Sequence, residues 1–147
     1  MTPSPRNKAL APFARLIGRW KLSARHPMFP GEQFHGEASF EWLDDGAFLI
    51  WHSKIDDARF PVGIAVIGGD DERDEYFMLY FDDRGVSRQY DLAVEGNTIS
   101  WSRNTPTFSQ RFTWTIADDA SAFVTRGQMS RNGGPWEGDL EAECTRF

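Results

Sequence analysis

The stretch from Val86 to Trp114 limits what this chain can fold into more than any other. Read with a period of two, Arg88, Tyr90 and Leu92, then Ile99, Trp101 and Arg103, then Phe108, Gln110, Phe112 and Trp114 fall on one side. The positions between them are almost all small or polar, among them Ser87, Gln89, Asp91, Ser100, Ser102 and Thr113. Such alternation belongs to antiparallel strands with one buried and one wet face. Two turn candidates, Glu95-Gly96 and Asn104-Thr105-Pro106-Thr107, join the three strands and agree on which side is inside. With Val94 paired to Asn97, Tyr90 faces Trp101 and Arg88 faces Arg103. With Arg103 paired to Phe108, Trp101 faces Gln110. The inside then carries two arginines, a tyrosine and a glutamine among aromatic rings.

The rest of the chain repeats the theme. Strands are expected at 19–25, 34–43, 47–55, 62–67, 76–81, 123–130 and 136–146, separated by short Gly-, Asp- and Pro-containing turns. About ten strands joined by hairpin turns predict an all-β fold, a single up-and-down antiparallel β-barrel. A short helix around Pro12, with Leu10, Phe13, Leu16 and Ile17 to one side, is too brief to stand alone and is expected to close one end. Residues 1–8 read as a disordered tail and residues 9–147 as one domain. Pairing Ala117 with Ala120 sets Trp114 opposite Phe123, and pairing Arg131 with Gly134 sets Met129 opposite Trp136. Glu137, Asp139, Glu141 and Glu143 then form a wet outer row, Asp139 facing Arg126. Strands 47–55 and 76–81 are apolar on both faces. Either Phe48, Ile50 and His52 or Leu49, Trp51 and Ser53 point inward, and either Phe77, Leu79 and Phe81 or Tyr76, Met78 and Tyr80.

Composition removes whole classes of function. A net charge of −6 speaks against a nucleic-acid partner, which needs a basic face. One cysteine, Cys144, excludes an internal disulfide, so a reducing, cytoplasmic setting is expected. No apolar run approaches the roughly 20 residues of a membrane span, and Met1-Thr2-Pro3-Ser4-Pro5 has no signal-peptide core. The acidic run Asp70-Asp71-Glu72-Arg73-Asp74 reads as a solvated turn. Metal spacings, a phosphate loop and a nucleophile elbow are all missing, so no metal, cofactor or catalytic residue is assigned. A homodimer is compatible with the sequence and not set by it.

The short helix ending in Leu16-Ile17-Gly18-Arg19-Trp20, followed by about ten meandering strands, resembles the calycin superfamily. The stretch Phe40-Glu41-Trp42-Leu43-Asp44-Asp45-Gly46-Ala47-Phe48-Leu49-Ile50, with Gly85-Val86-Ser87-Arg88, is most similar to its bacterial lipocalin-like domains of unknown function. The resemblance implies a barrel with an internal cavity. Nitrobindin-like relatives bind haem through a histidine near the C-terminus, whereas this chain has no histidine beyond His52. Lys21-Leu22-Ser23-Ala24-Arg25-His26 also replaces their glycine-rich segment. Fatty-acid-binding proteins hold a carboxylate with an Arg-x-Tyr pair and a further arginine. Arg88-x-Tyr90 and Arg103 are similar in kind, but lie on middle strands rather than the last.

An arginine keeps its charge, so an enclosed one needs an anion or a set of acceptors. The first reading is that Arg88 and Arg103, with Tyr90 and Gln110, hold the acidic head of a small hydrophobic ligand, while Trp101, Phe112 and Trp114 wall its body and His52 adds a polar contact. The bland alternative stacks the arginines on rings or pairs them internally. A second reading is a small-molecule enzyme (isomerase, cyclase or hydrolase) with His52, Tyr90 and Arg103 as acid–base and anion-stabilising groups. A third is haem binding through His52 or His26. His26 and His35 read otherwise as surface or mouth residues, and Cys144 as packed.

Overall fold

The computed structural model describes residues 4–70 and 72–147. Among them ten strands form a closed antiparallel barrel: β1 (Gly18–Arg25), β2 (Phe34–Leu43), β3 (Phe48–Ile55), β4 (Gly63–Gly69), β5 (Tyr76–Asp82), β6 (Ser87–Glu95), β7 (Thr98–Arg103), β8 (Phe108–Ile116), β9 (Ala122–Arg131) and β10 (Glu137–Arg146). Each strand pairs with its neighbours in sequence, and β10 closes on β1 with Leu22 opposite Cys144. Closure leaves no free sheet edge.

A 3₁₀ helix, Lys8–Leu16, plugs one end. Its buried residues Leu10, Phe13 and Leu16 recur every three positions, which aligns them on one face of a helix with three residues per turn. The Tyr76 hydroxyl donates to the Ala9 carbonyl at 2.7 Å, and the Phe13 and Tyr76 rings meet edge to face. The Arg6 and Asn7 backbone N–H groups donate to the Asp45 and Gly46 carbonyls, and Lys8 begins the helix. Residues 1–3 of the expected tail and Asp71 of the acidic run lie outside the described residues.

The Gly-x-Trp element is a clamp between chain ends. Trp20 is fully buried and its indole Nε1 donates to the Leu16 carbonyl at 2.8 Å. The Arg146 guanidinium lies 4.1 Å over the Trp20 ring and donates to the carbonyls of Arg15 and Ile17. It thereby satisfies acceptors that a helix end leaves open. Gly18 has φ +127°, and a Cβ there would sit 2.7 Å from Arg146 Nη1. The left-handed φ is what requires glycine here.

The faces fall as the alternation indicates, but the registers do not. Leu92 faces Trp101, Trp101 faces Phe112 and Trp114 faces Thr125, so three successive hairpins are each two residues off the expected pairing. At the first, Gly96 with φ +58° takes the first loop position ahead of Asn97, the place a type II′ turn reserves for glycine, and not the second. At the second, Thr105 and Ser109 hydroxyls bond across the loop and hold it wide. A slip of two preserves the side-chain face, so the inward set is unchanged. Arg88 and Arg103 nevertheless do not face each other: Arg103 stands opposite Gln110, and Arg88 lies beyond the last β6–β7 pair. In β3 and β5 the inward residues are Leu49, Trp51 and Ser53, and Tyr76, Met78 and Tyr80.

The half of the lumen next to the helix is packed solid. Trp114, Phe40, Leu49, Ile67 and Ile99 are all at most 1% exposed there. Cys144 is equally enclosed, and burial pushes its thiol up to about 12 against the opposing hydrogen bond with Thr125. The neutral thiol favours the folded state. That contribution is complete below the ordinary thiol value of about 8.5 and is lost as pH rises through about 12. Iodoacetamide near pH 8 is therefore expected to label Cys144 only at the rate of unfolding, measured by mass spectrometry. Labelling of native protein within minutes contradicts this burial.

Candidate functional site

The other half of the lumen is hollow. A cavity of about 420 Å³ opens at the end away from the helix, between the β1–β2, β3–β4, β5–β6 and β7–β8 connections. Its floor is the Trp101–Phe112 pair, stacked with centroids 4.2 Å apart and planes 10° from parallel. Phe112 can lie flat there because its partner across β9 is Gly127, where any Cβ would overlap the ring. The volume falls within the roughly 300–1,000 Å³ of small-molecule sites.

One polar chain crosses the cavity wall. The Tyr90 hydroxyl donates to Gln110 Oε1 at 2.8 Å and Arg88 Nη1 donates to the same oxygen at 3.2 Å. Gln110 Nε2 donates to Asp139 Oδ2 at 3.0 Å, and Asp139 Oδ1 accepts from Leu140 N–H and meets His26 Nε2 at 3.1 Å. His26 Nδ1 accepts from the Met28 N–H at 3.1 Å, which leaves the ring proton on Nε2, pointing at the carboxylate. Each group is thereby given one role: the glutamine amide passes the Arg88 donor on to an acid it cannot reach itself.

Asp139 corrects the sequence reading. It was expected in the wet row with Glu137, Glu141 and Glu143, yet it is only 9% exposed and lines the cavity. A β-bulge is the reason. Between Gly138, opposite Gln128, and Glu141, opposite Arg126, β10 spends one residue more than β9. The extra residue turns Asp139 inward while Glu141, not Asp139, takes the place facing Arg126. His26, read as a surface or mouth residue, sits at the mouth with its side chain 11% exposed.

Of the residues singled out by sequence, Arg88, Tyr90, Trp101, Gln110 and Phe112 line one cavity. Three do not. Trp114 belongs to the packed half. Arg103 is half-buried on the inner face but forms no part of the cavity wall. His52 lies on the outer face, 46% exposed and 3.5 Å from Glu41, because the four-residue turn 44–47 gives β3 the parity that turns Trp51 inward. The sequence placed Asp139 outside and did not single out Met129 or Arg131 for the cavity; Phe108 was read on the inner side, Tyr80 as one of two alternatives and His26 as a surface or mouth residue. Gly138 inside a strand was the one available sign of the bulge.

Charge is concentrated at the mouth. Arg59 is held by Glu32 and Asp57, and Arg84 by Asp82. Burial would raise the Asp82 carboxyl, but hydrogen bonds from the Arg84 guanidinium, the Tyr80 hydroxyl and the Arg84 N–H outweigh it and hold it at about 2. Arg88 and Arg131 have no carboxylate partner among the described residues. Burial raises Tyr90 above the ordinary phenol value even though Arg88 and Arg103 pull it down, so it remains a donor and not a base.

For the haem reading, no histidine among the described residues offers the cavity a free ring nitrogen. Both ring nitrogens of His26 are engaged, His52 is outside, and His35 is on the exposed face of β2. The same full occupation denies His26 a lone pair for substrate, and with His52 outside the acid–base set imagined for an enzyme is dispersed.

No family model matches the chain, and no curated protein matches it. Among solved structures it is similar to Rv2717c from M. tuberculosis, with a TM-score of 0.65 and 16% identity over 95% of this chain and 97% of that one. At that identity the likeness carries the barrel fold alone. No helix among the described residues is long and apolar enough to cross a membrane.

Proposed function

We propose that this chain is a calycin-like carrier of a small, largely apolar molecule with an anionic head, acting in a reducing compartment such as the cytoplasm. The reading rests chiefly on Arg88. Its guanidinium lines the cavity, 5.3 Å over the Phe108 ring, with one neutral acceptor, Gln110, for five N–H donors. An enclosed cation so under-supplied favours an anion that completes its shell. Arg131 supplies a second unpaired charge at the rim, while Trp101, Phe112 and Met129 offer the apolar wall. Tyr90, Gln110 and Asp139 serve as the frame that aims Arg88, and the ligand's body extends toward Trp101.

Calorimetric titration with decanoate and with decanol tests this directly. A charge-assisted contact contributes about 1.5–3 kcal/mol, so decanoate is expected to bind at least tenfold more tightly. Arg88→Met should remove most of that preference without changing the decanol affinity. Equal binding of acid and alcohol, or no heat from either, sinks the proposal.

A further inference from the structure

The outer face of three adjacent strands is apolar where a barrel's outside is normally wet. Phe48 and Ile50 of β3, Ile64 and Val66 of β4, and Leu79 and Phe81 of β5 all point outward. The register makes a continuous grid of them: Ile50, Val66 and Leu79 form one row, and His52, Ile64 and Phe81 the next. In the row beyond, Gly68 is covered by the Phe77 ring, with Phe48 beside it. Phe48 is 39% exposed, Ile64 38%, Leu79 37% and Phe81 43%. Taking a phenylalanine as about 200 Å², each of the two rings leaves on the order of 80 Å² open, and the whole grid on the order of 500 Å². That is at the top of what monomers show, and with a polar rim it approaches the roughly 800 Å² per partner of a stable interface.

We infer that this face pairs with the same face of a second copy, about a two-fold axis running along β4. Charge placement selects that partner and axis. One residue past the Ser53–Gly63 and Gly63–Asp82 pairs, Lys54 and Asp83 flank Val62 on opposite sides at the end of the grid. Lys54 and Asp83 have no ion pair among the described residues, and Glu37 beside Lys54 is engaged by Arg19. Rotation about an axis along β4 lays β3 of one copy over β5 of the other. Lys54 then meets the partner copy's acid at position 83, and the converse, giving two identical pairs at the rim of an apolar core. The grid covers the outer wall of the barrel and none of its residues lines the cavity, whose mouth opens at the strand end that carries Lys54 and Asp83.

Sedimentation equilibrium of the full chain tests the inference. At about 100 μM the wild type is expected at twice 16.8 kDa. Ile64→Arg, exposed and so without effect on the circular dichroism spectrum, is expected to be monomeric. Lys54→Glu should weaken the dimer several-fold, an effect that salt diminishes. The inference is overturned by a wild type monomeric up to about 1 mM, by a dimer indifferent to Ile64→Arg or to Lys54→Glu, or by a monomer that instead floats with phosphatidylcholine vesicles.

Discussion

Replacing Trp114 by alanine is expected to destabilise the barrel by about 4 kcal/mol while leaving decanoate affinity nearly unchanged in the protein that stays folded. Trp114 is 1% exposed and its ring meets Phe40 at 5.3 Å and Trp51 at 5.0 Å, both edge to face. Removing it strips the packed half of its largest central side chain, and the surrounding strands are held by their ladders and cannot collapse into the space. For a chain of this size the loss corresponds to a fall in Tm of roughly 10 °C. Thermal melts followed by circular dichroism measure it. A variant with unchanged Tm but lost decanoate binding would place Trp114 in the ligand site, as the sequence alone suggested.

Asp139→Ala is the second large effect, about 3 kcal/mol. The carboxylate accepts from Gln110, from the Leu140 N–H and from His26, and its removal strands those three donors in a site that water reaches only from the mouth. The bulge and the β1–β2 connection lose their shared anchor together. Asp139→Asn keeps the shape and discards the negative charge. Because that charge lines the same cavity as Arg88, the asparagine variant is expected to bind decanoate several-fold more tightly although it melts earlier. Opposite movements of stability and affinity are the signature to look for. A drop in both would mean that Asp139 supports the ligand directly.

The fold was legible because period-two alternation and turn residues are local signals. The β6–β8 stretch declared its inner face in a way that a register slip of two could not spoil. What escaped was set by single residues. One extra position in β10 moved Asp139 from the wet row to the cavity, and an alternation count cannot see a bulge except through Gly138. The undecided faces of β3 and β5 had a physical origin as well. Those strands are apolar on both sides because Trp51 and Tyr80 fill the inside while Phe48, Leu79 and Phe81 crowd the outside. Of the three residues expected to wall a ligand, Trp101 and Phe112 bound the cavity, whereas Trp114, one inward step further along β8, is sealed in the core.

On the proposed function, the apolar tail of an anionic ligand should enter the open half of the barrel and its head should stop at Arg88. A crystal of the protein with ω-bromodecanoate, recorded at the bromine absorption edge, tests it most directly. An anomalous peak is expected inside the lumen against the Trp101–Phe112 stack, with the carboxylate within hydrogen-bond distance of the Arg88 guanidinium. Bromine on the outer wall, or a carboxylate turned to solvent with Arg88 still bonded only to Gln110, would contradict it.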